Sequence, residues 1–279
     1  MKLTEEIIRS RKNPCVIWAA SLADKKVRDR DAVFIADGVK LFAEATSAGL
    51  SVTRVFVAES ESERLLPFIS EKLASEVYRN TVVTRLSDEC FEKISQEKAP
   101  QGLITVIKHL DFFKKCTIIN NNEPILHPEE RTIMLYAMRD PGNLGSVIRS
   151  AVAFGADHIL MSADCADIYN PKTVRAAMGS LFRVRMTSFT NVPEMVKAVR
   201  CSGRRVFAAE LSEHAVSLTE AGLLPHDAVM IGNEGHGIPR EISAVCDGSV
   251  YIPISKATES LNAAVAAAIF MWEQQKHGS

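Results

Sequence analysis

From residue 131 onward the chain alternates short apolar runs with amphipathic ones, and this restricts its fold more than any other feature. TIMLYAM (132–138), HILMS (158–162), VRMTSF (184–189), RRVFAAE (204–210), AVMIGN (228–233) and SVYIPI (249–254) have the length and residue types of strands. Between and after them, LGSVIRSAVAFGA (144–156), KTVRAAMGSLF (172–182), VPEMVKAVRCSG (192–203), IPREISAVC (238–246) and LNAAVAAAIFMWEQQK (261–276) read as helices. Apolar strands separated by helices imply a mostly parallel sheet covered on both faces. Ligands of such sheets bind beyond the carboxyl ends of the strands, so chemistry is sought in the loops that follow them.

The first part of the chain is a smaller α/β pattern. AVFIADGVKLFAEATSAG (32–49) predicts a strand, then a helix ended by Gly49. VTRVFVAES, TVVTRLS and GLITVIKHL are further strands, separated by the helical SERLLPFISEKLASE and DECFEKISQ. The pattern then weakens, and NNNEPILHPEER gathers turn residues. Because cores stop growing beyond about 250 residues, a chain of 279 residues is divided here into a first domain (1–112), a linker (113–130) and a second domain (131–279).

Composition excludes more than it selects. With 47% hydrophobic and 24% charged residues this is an ordinary globular chain, and a net charge of −1 gives no overall attraction to nucleic acid. Basic surface must be local: Arg9, Arg11, Lys12, Lys25, Lys26, Arg28 and Arg30 concentrate charge near the start, as an RNA contact or as a solvated helix face. No apolar run is long enough for a membrane span, and MKLTEEIIRSRKNP carries charges where a secretion signal is apolar, so a cytoplasmic protein is expected. The cysteines Cys15, Cys90, Cys116, Cys165, Cys201 and Cys246 are scattered singly, which predicts free thiols rather than a metal site.

Three strand-end loops hold the candidate residues. The first, Arg139 to Ser150, turns through Pro141 and Gly142 into a helix whose Leu144, Val147, Ile148, Ala151 and Val152 face the sheet. Ser146, Arg149, Ser150 and Ala153 take the opposite face, where Arg149 either holds a phosphate or is solvated. The second, Met230 to Pro239, has Gly232, Gly235 and Gly237, which let backbone approach a ligand closely. It is neither G-x-G-x-x-G nor a P-loop, which removes the support for a dinucleotide-dependent dehydrogenase. His236 has no partner at metal-ligand spacing. The third, Tyr251 to Asn262, leads into an alanine-rich helix that Thr258 or Ser260 can cap and whose small face allows close packing.

Taken together, N-L-G-S-V-I-R-S-A-V-A-F-G-A, I-G-N-E-G-H-G-I-P and I-P-I-S-x-x-x-E-S-L-N-A-A-V-A resemble the three motifs of the SpoU (TrmH-like) branch of the SPOUT methyltransferases. F-I-A-D-G-V-K-L-F-A-E-A and Q-G-L-I-T-V-I-K are similar to that family's ribosomal-protein-like substrate-binding domain. The resemblance implies an S-adenosylmethionine-dependent RNA 2′-O-ribose methyltransferase, a homodimer, acting on ribosomal RNA or alternatively tRNA. A catalytically silent RNA-binding relative is the other alternative, and it would be expected to have lost some motif residues. It also implies a deep trefoil knot at about 205–270, an exception to the rule that chains do not thread loops.

By the same resemblance the cofactor lies against Ala209, Glu210, Leu211, Ile231, Gly232, Asn233, Gly235, Ile252, Ile254, Ser260, Leu261 and Ala264. Arg149 activates the substrate, supported by Asn143, Glu234 and Asn262. A guanidinium holds its proton too tightly for a base, so phosphate binding and alkoxide stabilisation suit Arg149 better. Transfer from an already activated sulfonium needs no metal. Where many relatives have glycine, Ser255-Lys256-Ala257 puts a lysine at the cofactor mouth, either on RNA phosphate or in solvent.

Overall fold

The computed structural model describes residues 1–116, 126–127 and 129–276. The chain divides into two compact units, Met1–Leu110 with Tyr169–Phe182, and Asp111–Ile168 with Arg183–Ser279.

In the first unit the elements are β1 (Lys2–Leu3), α1 (Pro14–Ser21), α2 (Lys25–Asp31), β2 (Val33–Asp37), α3 (Val39–Ser47), β3 (Val52–Ala58), α4 (Ser62–Lys72), β4 (Val82–Leu86), α5 (Asp88–Ile94) and β5 (Leu103–Lys108). The sheet runs β1-β4-β3-β5-β2, with β5 antiparallel to both β2 and β3. Phe56, Ile104, Leu86 and Phe91 are buried with Val16 and Leu22 in one apolar cluster. The two sequence segments around Gly38 and Gln101 meet: the Gln101 Oε1 accepts the Val39 N–H at 3.0 Å and so satisfies the start of α3. Gly102 has φ +78°, and a Cβ there would lie 2.5 Å from the Glu61 Cγ, so only glycine fits.

The segment KTVRAAMGSLF, expected to continue the second α/β pattern, packs in the first unit. It forms α7 (Pro171–Ala177) and a 3₁₀ turn, Met178–Phe182. Aromatic contact is the physical reason: Tyr169 stacks between Phe34 (4.7 Å) and His109 (4.1 Å), and its hydroxyl accepts the Leu110 N–H at 2.8 Å.

The basic start is partly consumed internally. Arg28 is buried and donates to the Leu22 and Ala23 carbonyls beyond the end of α1. Arg9 pairs with Glu59, Arg30 with Asp31 and Lys25 with Asp29. Arg11, Lys12 and Lys26 remain exposed, with no ion pair among the described residues.

The second unit holds β6 (Phe113–Cys116), β7 (Thr132–Leu135), α6 (Pro141–Ala153), β8 (His158–Ser162), β9 (Arg185–Phe189), α8 (Val192–Arg200), β10 (Val206–Ala209), β11 (Val216–Ser217), β12 (Ala228–Ile231), α9 (Arg240–Ser243), β13 (Gly248–Tyr251) and α10 (Ala263–Lys276). Its eight strands run β11-β13-β10-β12-β7-β8-β9-β6, and every pair is parallel. The expected parallel α/β architecture is thus present. Phe113–Cys116, read from the sequence as the linker's beginning, is an edge strand on β9, and residues 117–125 and 128 of that reading lie outside the described residues. None of the six cysteines is in a disulfide, and no described helix is long and apolar enough to cross a membrane.

At the amino end of this sheet His158 is buried, its Nδ1 3.1 Å from the Arg185 guanidinium and its Nε2 2.9 Å from the Thr187 hydroxyl. A guanidinium only donates, so Nδ1 accepts and Nε2–H donates to Thr187. Burial first, and then the charges of Arg185, Lys114, Arg204 and His127, push the His158 pKa down to about 3. The unfolded chain takes up this proton near pH 6.5, whereas the folded one resists it until about pH 3. The unfolded state therefore binds more protons between these values, and stability falls as pH drops through that window. Melting curves between pH 7 and pH 5 should show a shallower decline for His158→Gln than for the wild type; equal slopes would contradict this assignment.

Candidate active site

At the carboxyl ends of β10, β12 and β13 is a cavity of about 730 Å³, within the usual range for small-molecule sites. Its wall is Ile231 to Gly235 after β12, Val250 to Lys256 after β13, Ala209 to Leu211 after β10, and Ala263, Ala266 and Phe270 of α10. The sequence-predicted Ala209, Glu210, Leu211, Ile231, Gly232, Asn233, Gly235, Ile252, Ile254, Ser260 and Leu261 all line it. Ala264 does not. It faces a shallower groove between α6 and α10, with Ser146, Ser150, Phe154, Val265 and Trp272, because successive helical residues lie about 100° apart.

The glycine loop is shaped by sterics. Asn233 and Gly237 exchange backbone hydrogen bonds of 3.1 and 2.9 Å, folding the loop back on itself. A Cβ on Gly232 would lie 2.6 Å from the Gly237 carbonyl carbon, and Gly237 has φ +65°. The Asn233 Oδ1 accepts the N–H groups of Gly235 and His236, and its Nδ2 donates to the Ala137 carbonyl at 2.7 Å. Ala137 is buried with φ +48°, a conformation costing a non-glycine residue about 1–2 kcal/mol. Bonds from both sides hold it: its N–H donates to the Ser162 hydroxyl at 2.8 Å. His236 is exposed, and among the described residues no cluster of histidine, cysteine and carboxylate groups suits a metal ion.

Asn143, Glu234 and Asn262 come together as one directed relay, with Glu234 in the cavity wall. A carboxylate only accepts, so Asn143 turns its Nδ2 to the Glu234 Oε1, at 3.0 Å. The Asn143 Oδ1 then faces Asn262, whose Nδ2 donates to it at 2.9 Å. The Oδ1 left on Asn262 accepts the N–H groups of Ala264 (2.9 Å) and Val265 (3.3 Å) and so caps α10. This corrects the expected cap at Thr258 or Ser260: the helix starts at Ala263, and the Thr258 hydroxyl donates instead to the Ser260 carbonyl. Glu234 also accepts the N–H groups of Arg139 and Asp140 at 3.4 Å. Asp140 in turn caps α6, accepting the Asn143 N–H at 2.7 Å, with Pro141 in the first turn.

Arg149 stands apart. It is exposed on α6, outside the cavity lining, and makes no hydrogen bond or ion pair among the described residues. Lys256 lines the cavity and is exposed. The sequence reading missed Ser249, whose hydroxyl donates to the Glu210 Oε1 at 2.7 Å; a serine within a strand gives no signal of such a contact. It also missed Asp140 as a cap, although Asp-Pro before a helical run marks that position.

A parallel sheet with a strand-end cavity, fenced by glycine backbone and a carboxylate–amide relay, defines a ligand-binding α/β enzyme. Residues 130–272 match the SpoU rRNA Methylase family and residues 13–105 the MRM3-like substrate binding domain. The chain belongs to the SpoU rRNA methylase family. It is 28% identical over 265 residues, covering 95% of this chain and 97% of the relative, to the 23S rRNA (guanosine(2553)-2′-O)-methyltransferase RlmP of Bacillus subtilis (strain 168). A 23S rRNA (uridine(2479)-2′-O)-methyltransferase of Streptomyces viridochromogenes is 28% identical over 92% of this chain and 87% of its own. The AdoMet-bound rRNA methyltransferase from Sinorhizobium meliloti superposes with TM-score 0.82 at 26% identity, covering 98% of each chain.

The relay separates two roles of Asn262. Asn262→Ala loses the cap and the bond to Asn143 and should cost about 1 kcal/mol, lowering the melting temperature by roughly 2–4 °C. Asn262→Asp keeps the capping oxygen but cannot donate to Asn143, and should melt above Asn262→Ala while catalytic turnover falls at least tenfold. Full turnover in Asn262→Asp would show that the bond to Asn143 is dispensable.

Proposed function

We propose that this protein transfers a methyl group from S-adenosylmethionine to a ribose 2′-hydroxyl of ribosomal RNA, as a cytoplasmic homodimer. The relay of Asn143, Glu234 and Asn262 beside the cavity carries the reading, because it sets three polar side chains from three separate segments in one fixed orientation. Cavity and cofactor suit each other: the close backbone of Gly232, the apolar Ile231, Ile252 and Leu261, and the small Ala263 and Ala266 leave room for a flat adenine. When bound, S-adenosylmethionine supplies a methyl group already activated on a sulfonium. The protein's task is then to orient the hydroxyl and ease loss of its proton.

Arg149 meets the part of that task requiring charge. Unengaged and exposed on α6, its guanidinium is free to bind a nucleotide phosphate and to stabilise the alkoxide as the proton leaves. Glu234 is occupied by N–H donors and serves as the relay's anchor. Lys256 at the mouth adds a further phosphate contact in this reading. The groove between α6 and α10, with half-exposed Val265 and Trp272, supports pairing of two copies. The adjacency of β13, β10 and β12, out of chain order, supports the trefoil knot implied by the family motifs. The first unit would select RNA through single-stranded or structured elements, with Arg11, Lys12 and Lys26 available for phosphate.

Incubation with methyl-labelled cofactor and total RNA, followed by mapping, should place the label on a 2′-hydroxyl of ribosomal RNA. Label on a base would contradict the reaction, label on tRNA the substrate, and no label would favour a silent RNA-binding relative. Arg149→Lys keeps the charge but not the planar fork, so RNA binding should stay within a few-fold of wild type while single-turnover rate falls about 10–100-fold, in line with the loss of one oriented charge-stabilising donor. Complete loss of turnover with unchanged RNA binding would instead favour a proton-abstracting role.

A further inference from the structure

Three carboxylates and one lysine line the cavity, and the carboxylates differ in how they are held. Glu234 is engaged by the N–H groups of Arg139, Asp140 and Asn143. Glu259 is exposed in the loop before α10, as is Lys256, so both signs of charge meet water at the mouth. Glu210 is half-buried at the carboxyl end of β10, the strand flanked by β12 and β13. Its backbone N–H is fixed to the Val250 carbonyl at 3.1 Å, and the Ser249 hydroxyl donates to Oε1 at 2.7 Å. A carboxylate has about four acceptor positions, and this one is held rigid with only one of them used by Ser249.

Building on the proposed cofactor site, we propose that the Glu210 carboxylate is the specificity-determining acceptor for the ribose diol of the adenosyl group. Two neighbouring O–H donors match the two oxygens of one immobilised carboxylate, and they carry no net charge to be stripped of water beside Ile231, Val250 and Ile252. The amino-acid end of the cofactor is a zwitterion and needs partners of both signs in contact with solvent. Lys256 and Glu259 at the mouth provide those. Ser249 is then a positioning residue, holding the carboxylate in the rotamer that meets the diol.

Calorimetric titration of the full chain tests this without turnover. S-adenosylhomocysteine and 5′-methylthioadenosine share the ribose, but the second lacks the amino-acid group. Glu210→Gln should weaken both about tenfold, and the same substitution should leave binding of the 2′,3′-dideoxy form of 5′-methylthioadenosine unchanged. Ser249→Ala should weaken the diol-bearing ligands by a smaller factor. Weakened S-adenosylhomocysteine with unaffected 5′-methylthioadenosine would overturn the proposal in favour of ammonium recognition. An equal loss for the dideoxy compound would overturn it in favour of a structural role. Failure of the wild type to bind any adenosyl compound would instead remove the cofactor reading on which the proposal rests.

Discussion

The hydrogen bond from Asn143 to Glu234 organises the second unit's working end. Because a carboxylate cannot donate, this one contact sets the orientation of the Asn143 amide, then of the Asn262 amide, and thereby leaves an oxygen to cap α10. The same carboxylate gathers the N–H groups of Arg139 and Asp140 as the chain enters α6. Two helix starts and the glycine loop thus share a single polar framework. Each bond is modest alone, worth about 0.5–1.5 kcal/mol net. Their shared direction makes the arrangement specific.

Around that framework the backbone is shaped by close approach. Gly232 leaves no room for a Cβ beside Gly237, Gly237 takes a positive φ that favours glycine, and Ala137 holds a left-handed conformation between bonds from Asn233 and to Ser162. Strained positions persist when neighbours over-determine them, and they concentrate where function needs fixed geometry. Alanines in α10 complete the enclosure: Ala263 and Ala266 line the cavity while Ala264 and Ala268 face the groove beside α6. One helix therefore serves as a thin wall between the strand-end cavity and the surface proposed for pairing.

Much of this was legible in the sequence, for identifiable reasons. Apolar strands alternating with helices left little choice but a parallel sheet, and glycine with polar residues after those strands marked the loops. Other features lay outside what residue patterns encode. The strand Phe113–Cys116 has exposed Lys114 and Lys115 and is only four residues long, so it reads as a connector. Tyr169–Phe182 has a helical pattern that says nothing about which core its aromatic neighbour joins; the stacking of Tyr169 on Phe34 does. An alanine-rich helix lacks the periodicity that would tell one face from another, so the sequence does not show that Ala264 lines the groove beside α6 while Ala263 and Ala266 line the cavity. Arg28 looked like surface charge, yet it caps the carbonyl groups after α1 from within the core.

The first unit is the part proposed to select RNA, and the second the part proposed to hold the cofactor. Their assignments stand on separate matches, one to a substrate binding domain and one to a methylase family. The relay is the proposed link from sequence to reaction, and its coupling is measurable. A double-mutant cycle of Asn143→Ala and Glu234→Ala, read on kcat/KM for RNA methylation, tests it most directly. A coupling energy of about 0.5–3 kcal/mol is expected, the range for residues in one hydrogen-bonded network. Additive effects of the two substitutions would show that Asn143 and Glu234 act independently and would contradict it.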